Sequence, residues 1–337
     1  MSSTNEDKIE DQPRWLINIE NSIKEELEEF PSDPRYYEIV RDLLLAPKDN
    51  EQAVPDSVTR FYQLYGDGAE TEKREPPEYG AAYKLNSIAD VVFEAVRDVF
   101  YTTLEHDRLA EFLIGIKKGA VAEYDTVNPQ FVDHDWGLET IASGSWNASH
   151  VDASTKNLAT DPEQIWTEAW INTSALISKL YKESLLDTDG PIWLTWDFVM
   201  AFEKLTKGDV ASDAGRQAQV LAPINHILLA GEPFADEAKA TADGRILELN
   251  AAKWKLWSSK IKEIADAVDD GARWDLKSQA QEAFERTFAT NSTIWSAIRE
   301  RDCPEKREGL VKIAADIPLL FFVHLRPCLF QLDTWDK

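Results

Sequence analysis

Asp133, His134 and Asp135 stand side by side in the sequence, with His150 a short distance further along. Imidazole and carboxylate side chains are ligands for divalent metal ions such as zinc. Three adjacent residues cannot all turn toward one ion, however, and metal sites draw their ligands from several elements. We therefore interpret this cluster as part of a solvated loop and predict no metal site.

The other histidines lie in helical patterns. His226 and His324 have apolar neighbours, which is typical of buried histidines with hydrogen-bond partners. His324 and Cys328 are four residues apart, a spacing that would suit a cysteine–histidine couple on one helix face. Their neighbours are core-like, so we interpret both as packing residues. His106 lies between two acidic residues and is predicted to be exposed.

Sequence motifs for the common cofactors are absent from the chain. There is no glycine-rich phosphate-binding loop, no dinucleotide fingerprint, no G-x-S-x-G turn, no H-E-x-x-H helix and no paired C-x-x-C. Nucleotide, dinucleotide, serine-hydrolase and zinc functions therefore have no support from motifs. The sequence predicts no cofactor.

Twelve tryptophans are the strongest signal in the 337 residues. Six of them form pairs three or four residues apart, a spacing that places both members of a pair on one helix face. Core packing between helices explains such pairs, because each indole buries a large area. The alternative is an aromatic wall around a pocket for an apolar or polycyclic small molecule. The six candidate ligand-binding residues are Trp166, Trp170, Trp193, Trp196, Trp254 and Trp257.

The elements that position these side chains are predicted to be helices throughout. Apolar residues recur every three or four positions, and proline or glycine interrupts each run. No stretch alternates as a strand does, and no motif recurs at a fixed period. We predict an all-α fold, an irregular bundle of about a dozen helices. Within it, 212–231 should form a helix bent at Pro223.

Three segments organise the chain. Residues 1–124 form an N-terminal helical part, and residues 161–337 form a C-terminal helical part. Between them, residues 125–160 are rich in Asn, Asp, Ser and Gly and are predicted to form a long polar connecting loop. We expect the two helical parts to pack as one globular unit.

A net charge of −25 limits the partners of the protein. Nucleic-acid binding needs a basic surface for phosphates, and adhesion to anionic membranes needs one for lipid headgroups. No basic stripe and no apolar run of membrane-spanning length occur in the sequence, so neither partner is predicted. The acidic start does not resemble a secretory signal, which predicts a cytoplasmic protein.

The segment from Trp170 to Lys204 reads WINTSALISKLYKESLLDTDGPIWLTWDFVMAFEK. A small-residue helix ending at Gly231 and a helix with Trp254 and Trp257 follow it. This order resembles a family of filamentous-fungal helical proteins, the domain of unknown function numbered thirty-six thirty-two, over roughly residues 160–290. The resemblance implies an α-helical, intracellular fungal protein and carries over no catalytic residue.

Two functions are consistent with these features. The first is a pathway protein of fungal specialised metabolism that binds, and in one version converts, an apolar small molecule in an aromatic-lined cavity. The second is a non-catalytic interaction module whose acidic surface meets a basic protein partner. The tryptophans and the missing cofactor motifs favour the first function.

Overall fold

Helices account for almost all of the structure, a computed structural model that describes residues 12–28, 34–64, 80–123, 138–155, 165–186, 190–204, 208–240 and 249–287. Across these ranges 82% of the residues are helical, in 11 helices, and none is in a strand. The predicted all-α class is confirmed for this part of the chain. All the described residues belong to one compact unit, residues 1–294.

Five helices make up the first part: α1 (Arg14–Glu28), α2 (Arg35–Leu45), α3 (Ala53–Gln63), α4 (Gly80–Val96) and α5 (Leu104–Glu123). Their buried residues follow the helical period, as Ile19 and Ile23 do in α1. Buried Arg108 of α5 donates to the carbonyls of Ala46 (2.6 Å) and Pro47 (2.5 Å). These carbonyls lie at the C-terminus of α2, where a cation is favourable.

Residues 138–155, predicted to belong to the connecting loop, form helix α6 (Leu138–Thr155) instead. Serine, threonine, asparagine and glycine have low helix propensity, which is why the sequence reads as a loop. Tertiary contacts overcome this propensity, because Leu138, Ala142 and Ser149 bury one face of the helix, and α6 packs against α4 and the next helix. The rest of 125–160 lies outside the described residues.

Helix α7 (Ile165–Lys182) is the centre of the second part. Every residue from Ala169 to Ser178 is buried, polar ones included, because α4, α5, α6, α8 and α9 all pack against it. Helix α8 (Gly190–Val199) runs directly into a π-helical turn, Met200–Lys204. Arg216 of α9 donates to the Ala201 carbonyl at 2.8 Å and so satisfies a backbone group of this turn.

The 27-residue helix α9 (Ala214–Ala240) bends at Ala230, where φ is −137° and ψ is 21°. The predicted bend at Pro223 is therefore wrong. Pro233 supplies the cause, because it has no N–H for the Leu229 carbonyl and its ring crowds that carbonyl. Pro223 lies in the helical part before the bend.

Helix α10 (Ala251–Ala267) carries the last tryptophan pair, and α11 (276–287) follows it. The hydroxyls of Ser258 and Thr287 join the two helices at 2.9 Å. Across the described ranges, no helix combines the length and the apolar character needed to cross a lipid bilayer.

The start of α10 depends on one side chain. The Asn250 oxygen accepts from the backbone N–H groups of Ala252 and Lys253, both at 3.0 Å. We expect Asn250→Ala to lower the free energy of unfolding by about 1 kcal/mol, measured by urea denaturation, because two helix N–H groups lose their acceptor. Asn250→Asp keeps an acceptor and should lose little; an equal loss in both variants would contradict the capping role.

Candidate functional site

Four side chains from four helices form a continuous hydrogen-bonded chain, which we call the relay. Ser178 Oγ of α7 lies 2.6 Å from His226 Nδ1 of α9. The other ring nitrogen, His226 Nε2, lies 2.7 Å from Asp197 Oδ2 of α8. The indole N–H of Trp146, in α6, donates to Asp197 Oδ1 at 3.1 Å. The relay therefore joins a hydroxyl, an imidazole, a carboxylate and an indole in the interior of the bundle.

Burial of the relay is nearly complete. Ser178, Asp197 and His226 are at most 1% exposed, and Trp146 is half-buried. A carboxylate is rarely buried unless it is paired and hydrogen-bonded. Asp197 meets this condition through His226 and Trp146, so the three helices that carry these residues are held in register at this point.

The arrangement of the relay assigns a role to each group. The Asp197 carboxylate can only accept, so His226 Nε2 is the donor of this contact, and in the tautomer whose Nδ1 carries no proton, Nδ1 accepts the Ser178 hydroxyl proton. A nucleophile, a base and a group that orients the base are the three parts of an activated-hydroxyl site. In the serine proteases Nε2 faces the serine, whereas here Nδ1 does. The Ser178 hydroxyl also lies 2.9 Å from the Ser174 carbonyl, so two acceptors compete for its one proton.

Further buried polar atoms lie on the same helices. The side chains of Thr173 and Ser174 in α7, Thr195 in α8 and Asn225 in α9 have no hydrogen-bond partner among the described residues. Buried groups of this kind carry a desolvation cost of about 1–3 kcal/mol each. Native proteins contain few of them, and such groups call for an explanation such as a functional role.

A cluster of aromatic rings begins beside His226. Phe198 lies 6.2 Å from the His226 ring and stacks on Trp257, at 4.6 Å, and on Phe234, at 5.6 Å. Trp254 lies 5.6 Å from Phe234. This aromatic cluster extends from the relay to α10.

A cavity of about 580 Å³ lies at the bend of α9, beyond the aromatic cluster. Its buried lining residues include Ile227, Ala230, Ala235 and Trp254, and its exposed lining residues are Lys182, Glu232, Asp236 and Arg286. The cavity therefore combines an apolar floor with a rim that carries two positive and two negative charges.

Trp254, which lines the cavity, carries an unpaired indole N–H. Its side chain is 2% exposed, and its Nε1–H has no acceptor among the residues that the structure describes. A buried indole N–H usually finds a partner. Leu229 also lines this cavity, and Pro233 cannot supply the helical donor for the Leu229 carbonyl.

The six tryptophans predicted to bind a ligand do not line this one cavity. Trp254 is the member of the set that lies in its wall, and Trp257 packs behind it with its N–H on Glu203 Oε1 at 2.9 Å. Trp170 and Trp193 are buried in α7 and α8. Trp166 lies under Arg97 (5.7 Å) and Trp196 under Lys204 (4.3 Å), as cation–π pairs.

The predictions for the individual histidines have different outcomes. His226 is buried and hydrogen-bonded, as predicted. His106 is fully buried, so its predicted exposure is wrong. The cluster at Asp133–Asp135 and the pair His324 and Cys328 lie outside the described residues. Within the described ranges, no three His, Cys, Asp or Glu side chains come together as a metal site would require.

His106 belongs to a second buried polar group that the sequence did not reveal. Its Nε2 lies 3.0 Å from the Asn172 carbonyl, and Lys179 Nζ lies 2.8 Å from its Nδ1. Burial and, second, the Lys179 charge lower the pKa of His106 to about 3. The imidazole is thus neutral, with Nε2 as donor and Nδ1 as acceptor.

No family model, curated protein or solved structure matches this chain. The resemblance to the filamentous-fungal family stays a prediction.

Proposed function

We propose that this protein binds an apolar small molecule that carries a hydrogen-bond acceptor, and that it does so in the cavity at the bend of α9. The observation that carries the proposal is Trp254, which lines the cavity and has a buried N–H with no acceptor among the described residues. A ligand oxygen there would remove the cost of an unpaired buried donor. The apolar floor supplies the area that an uncharged ligand needs to bury.

The charges around the cavity favour an uncharged ligand. Arg286 is already engaged, because it donates to the Leu228 carbonyl and to Glu282 Oε1, each at 2.6 Å. The two acids of the rim, Glu232 and Asp236, and the net charge of −25 disfavour an anion. With the fungal resemblance, these features support a cytoplasmic protein of specialised metabolism. The alternative of an acidic protein-interaction module depends on the net charge alone.

Trp254→Phe tests the role of the indole N–H while keeping an aromatic ring. Nile red is a suitable probe, because it is uncharged, apolar and carries a carbonyl acceptor. We expect saturable fluorescence enhancement with the wild-type protein and binding about two- to tenfold weaker in the variant, the effect of one hydrogen bond. Trp257→Phe is the matched control, since its N–H already bonds Glu203 and lies outside the cavity wall.

Gly231→Leu provides an independent test by filling the cavity. Gly231 lines it, and a Cβ there would meet nothing closer than Ile227 Cγ2 at 3.7 Å. The variant should fold and bind Nile red at least about tenfold more weakly, because the added side chain occupies the ligand's space. Binding that is unchanged in both Trp254→Phe and Gly231→Leu would refute the proposed site.

A further inference from the structure

The relay is separate from the cavity, and ligand binding at the bend of α9 makes no use of it. A buried imidazole needs a hydrogen-bond partner at each ring nitrogen, and the partner of His226 Nδ1 is a hydroxyl, at 2.6 Å, rather than a backbone carbonyl. Another buried serine of the same bundle, Ser149, can be compared with Ser178. Ser149 in α6 donates to the carbonyl four residues before it at 2.9 Å, as Ser178 does, and is also buried. Ser178 differs from Ser149 in that the His226 imidazole lies within hydrogen-bond distance of its hydroxyl.

Buried polar side chains without a partner are neighbours of Ser178 and of His226 along their helices. Ser174 is one helical turn before Ser178, and Asn225 is adjacent to His226. The Ser174 hydroxyl and both Asn225 amide atoms are buried without a partner in the described ranges. Acyl transfer needs preorganised donors for the negative oxygen of its tetrahedral intermediate. Ser174 and Asn225 place buried donors without an acceptor on the two helices that carry Ser178 and His226.

From these observations we propose that Ser178 is the nucleophile of an acyl-transfer site for small uncharged esters. Ser178 Oγ bonds to the carbonyl carbon of the ester while its proton passes to His226 Nδ1. The bond from that carbon to the alcohol oxygen then breaks, and His226 returns the proton to the alcohol. Water removes the acyl group from Ser178 by the same steps, so ester and water give acid and alcohol. Ser178 and His226 are the catalytic residues, and Asp197 positions His226.

Access to Ser178 requires movement, because the hydroxyl is fully buried. Helix α6 is the element that reaches from Asp197 to the surface, through half-buried Trp146. Its sequence, LETIASGSWNASHVDAST, has low helix propensity, so its local opening costs less than opening of the core helices. In this proposal α6, which packs against the helix that carries Ser178, moves away together with the Trp146 indole and so admits the substrate.

Diisopropyl phosphorofluoridate, a small uncharged reagent for activated serines, tests the proposal directly. Attack by Ser178 forms a phosphorus–oxygen bond and releases fluoride, and the serine proton leaves with it through His226. Peptide mass spectrometry should find the adduct on Ser178, and Ser149 should stay unmodified. Trp146→Phe should accelerate labelling about fivefold, since one hydrogen bond closing α6 is lost. His226→Gln should slow labelling at least about hundredfold, since the base is lost.

Folding of each variant is checked by circular dichroism and thermal unfolding. Ser178→Ala should fold and take up no label. The absence of an adduct from both the wild-type protein and folded Trp146→Phe would overturn the proposal. Equal labelling of Ser149 and Ser178 would also overturn it, because the imidazole would then make no difference. If His226→Gln fails to fold, the labelling of Ser178 relative to Ser149 in the wild-type protein and in Trp146→Phe still tests the proposal.

Discussion

Replacement of Asp197 by alanine should lower the free energy of unfolding by about 3–5 kcal/mol, because two donors lose a buried carboxylate acceptor and the removed side chain leaves a void. The carboxylate accepts from His226 Nε2 at 2.7 Å and from Trp146 Nε1 at 3.1 Å, and both Asp197 and His226 are buried. Both donors lose their acceptor in the variant, and the carboxylate leaves a void. The loss of stability should be large because Asp197 is buried, so water cannot easily replace the two lost hydrogen bonds.

Asp266→Ala is the matched control for this substitution. Asp266 pairs with Lys262 at 2.6 Å, a shorter contact than that of Asp197 with His226, but its side chain is 64% exposed. Exposed pairs contribute little, typically below about 1 kcal/mol. Urea denaturation of both variants should therefore separate them by at least about 2 kcal/mol. Similar losses in the two variants would show that Asp197 is not part of a tightly packed buried network.

The parts of the fold that could be predicted are those with apolar periodicity. Along α10 and the residue that follows it, the spacing of Trp254, Trp257, Ile261, Ile264 and Val268 alternates between three and four, and all five are buried. Burial of large apolar side chains dominates the energy of such a helix, so the pattern alone is sufficient. The same holds for Ile19 and Ile23 of α1.

Helix α6 shows where that reasoning fails. Its buried face is built from Leu138, Ala142 and Ser149, which are small or polar apart from the first. A hydrophobic period cannot be read from such residues, and serine and glycine are also typical of loops. The segment is helical because neighbouring helices bury it, and this information is not local in the sequence.

The relay could be anticipated only in part. An aspartate inside the apolar run IWLTWDFVM is a conflict between local rules, and such conflicts often mark functional sites. The buried state of His226 was also predictable. Their pairing was not, because Ser178, Asp197 and His226 lie on three helices, and only the packing of α7, α8 and α9 brings them together.

The predicted exposure of His106 is wrong because the polarity of sequence neighbours does not determine the environment of a helical side chain. Successive helix residues point about 100° apart, so a residue between two exposed acids can still face the core. His106 does so, and its ring is held by the Asn172 carbonyl and by Lys179. Lys179 in turn donates to Asp107 Oδ1 at 2.7 Å and to the Tyr101 carbonyl at 3.1 Å. These two hydrogen bonds hold the Lys179 ammonium beside the His106 imidazole.

Burial and the Lys179 charge together lower the pKa of His106 from its ordinary value of 6.5 to about 3. Between these two values the unfolded chain binds a proton at this position and the folded protein does not. Stability from the neutral His106 is therefore fully present above about pH 6.5, and it is lost as the pH falls toward 3. The loss is on the order of 1 kcal/mol per pH unit, and roughly a few kcal/mol over the whole range.

Comparison with His106→Gln isolates this effect from the titration of the many carboxylates. Glutamine keeps an N–H donor for the Asn172 carbonyl and does not titrate, so the variant lacks the contribution of the imidazole. Urea denaturation between pH 4 and pH 6 should give a wild-type free energy of unfolding that rises with pH more steeply than that of the variant, by on the order of 1 kcal/mol per unit. Lys179→Met should reduce the difference, since the cation is the second cause of the lowered pKa. Parallel pH profiles for the wild-type protein and His106→Gln would mean that His106 titrates alike in the folded and unfolded chains.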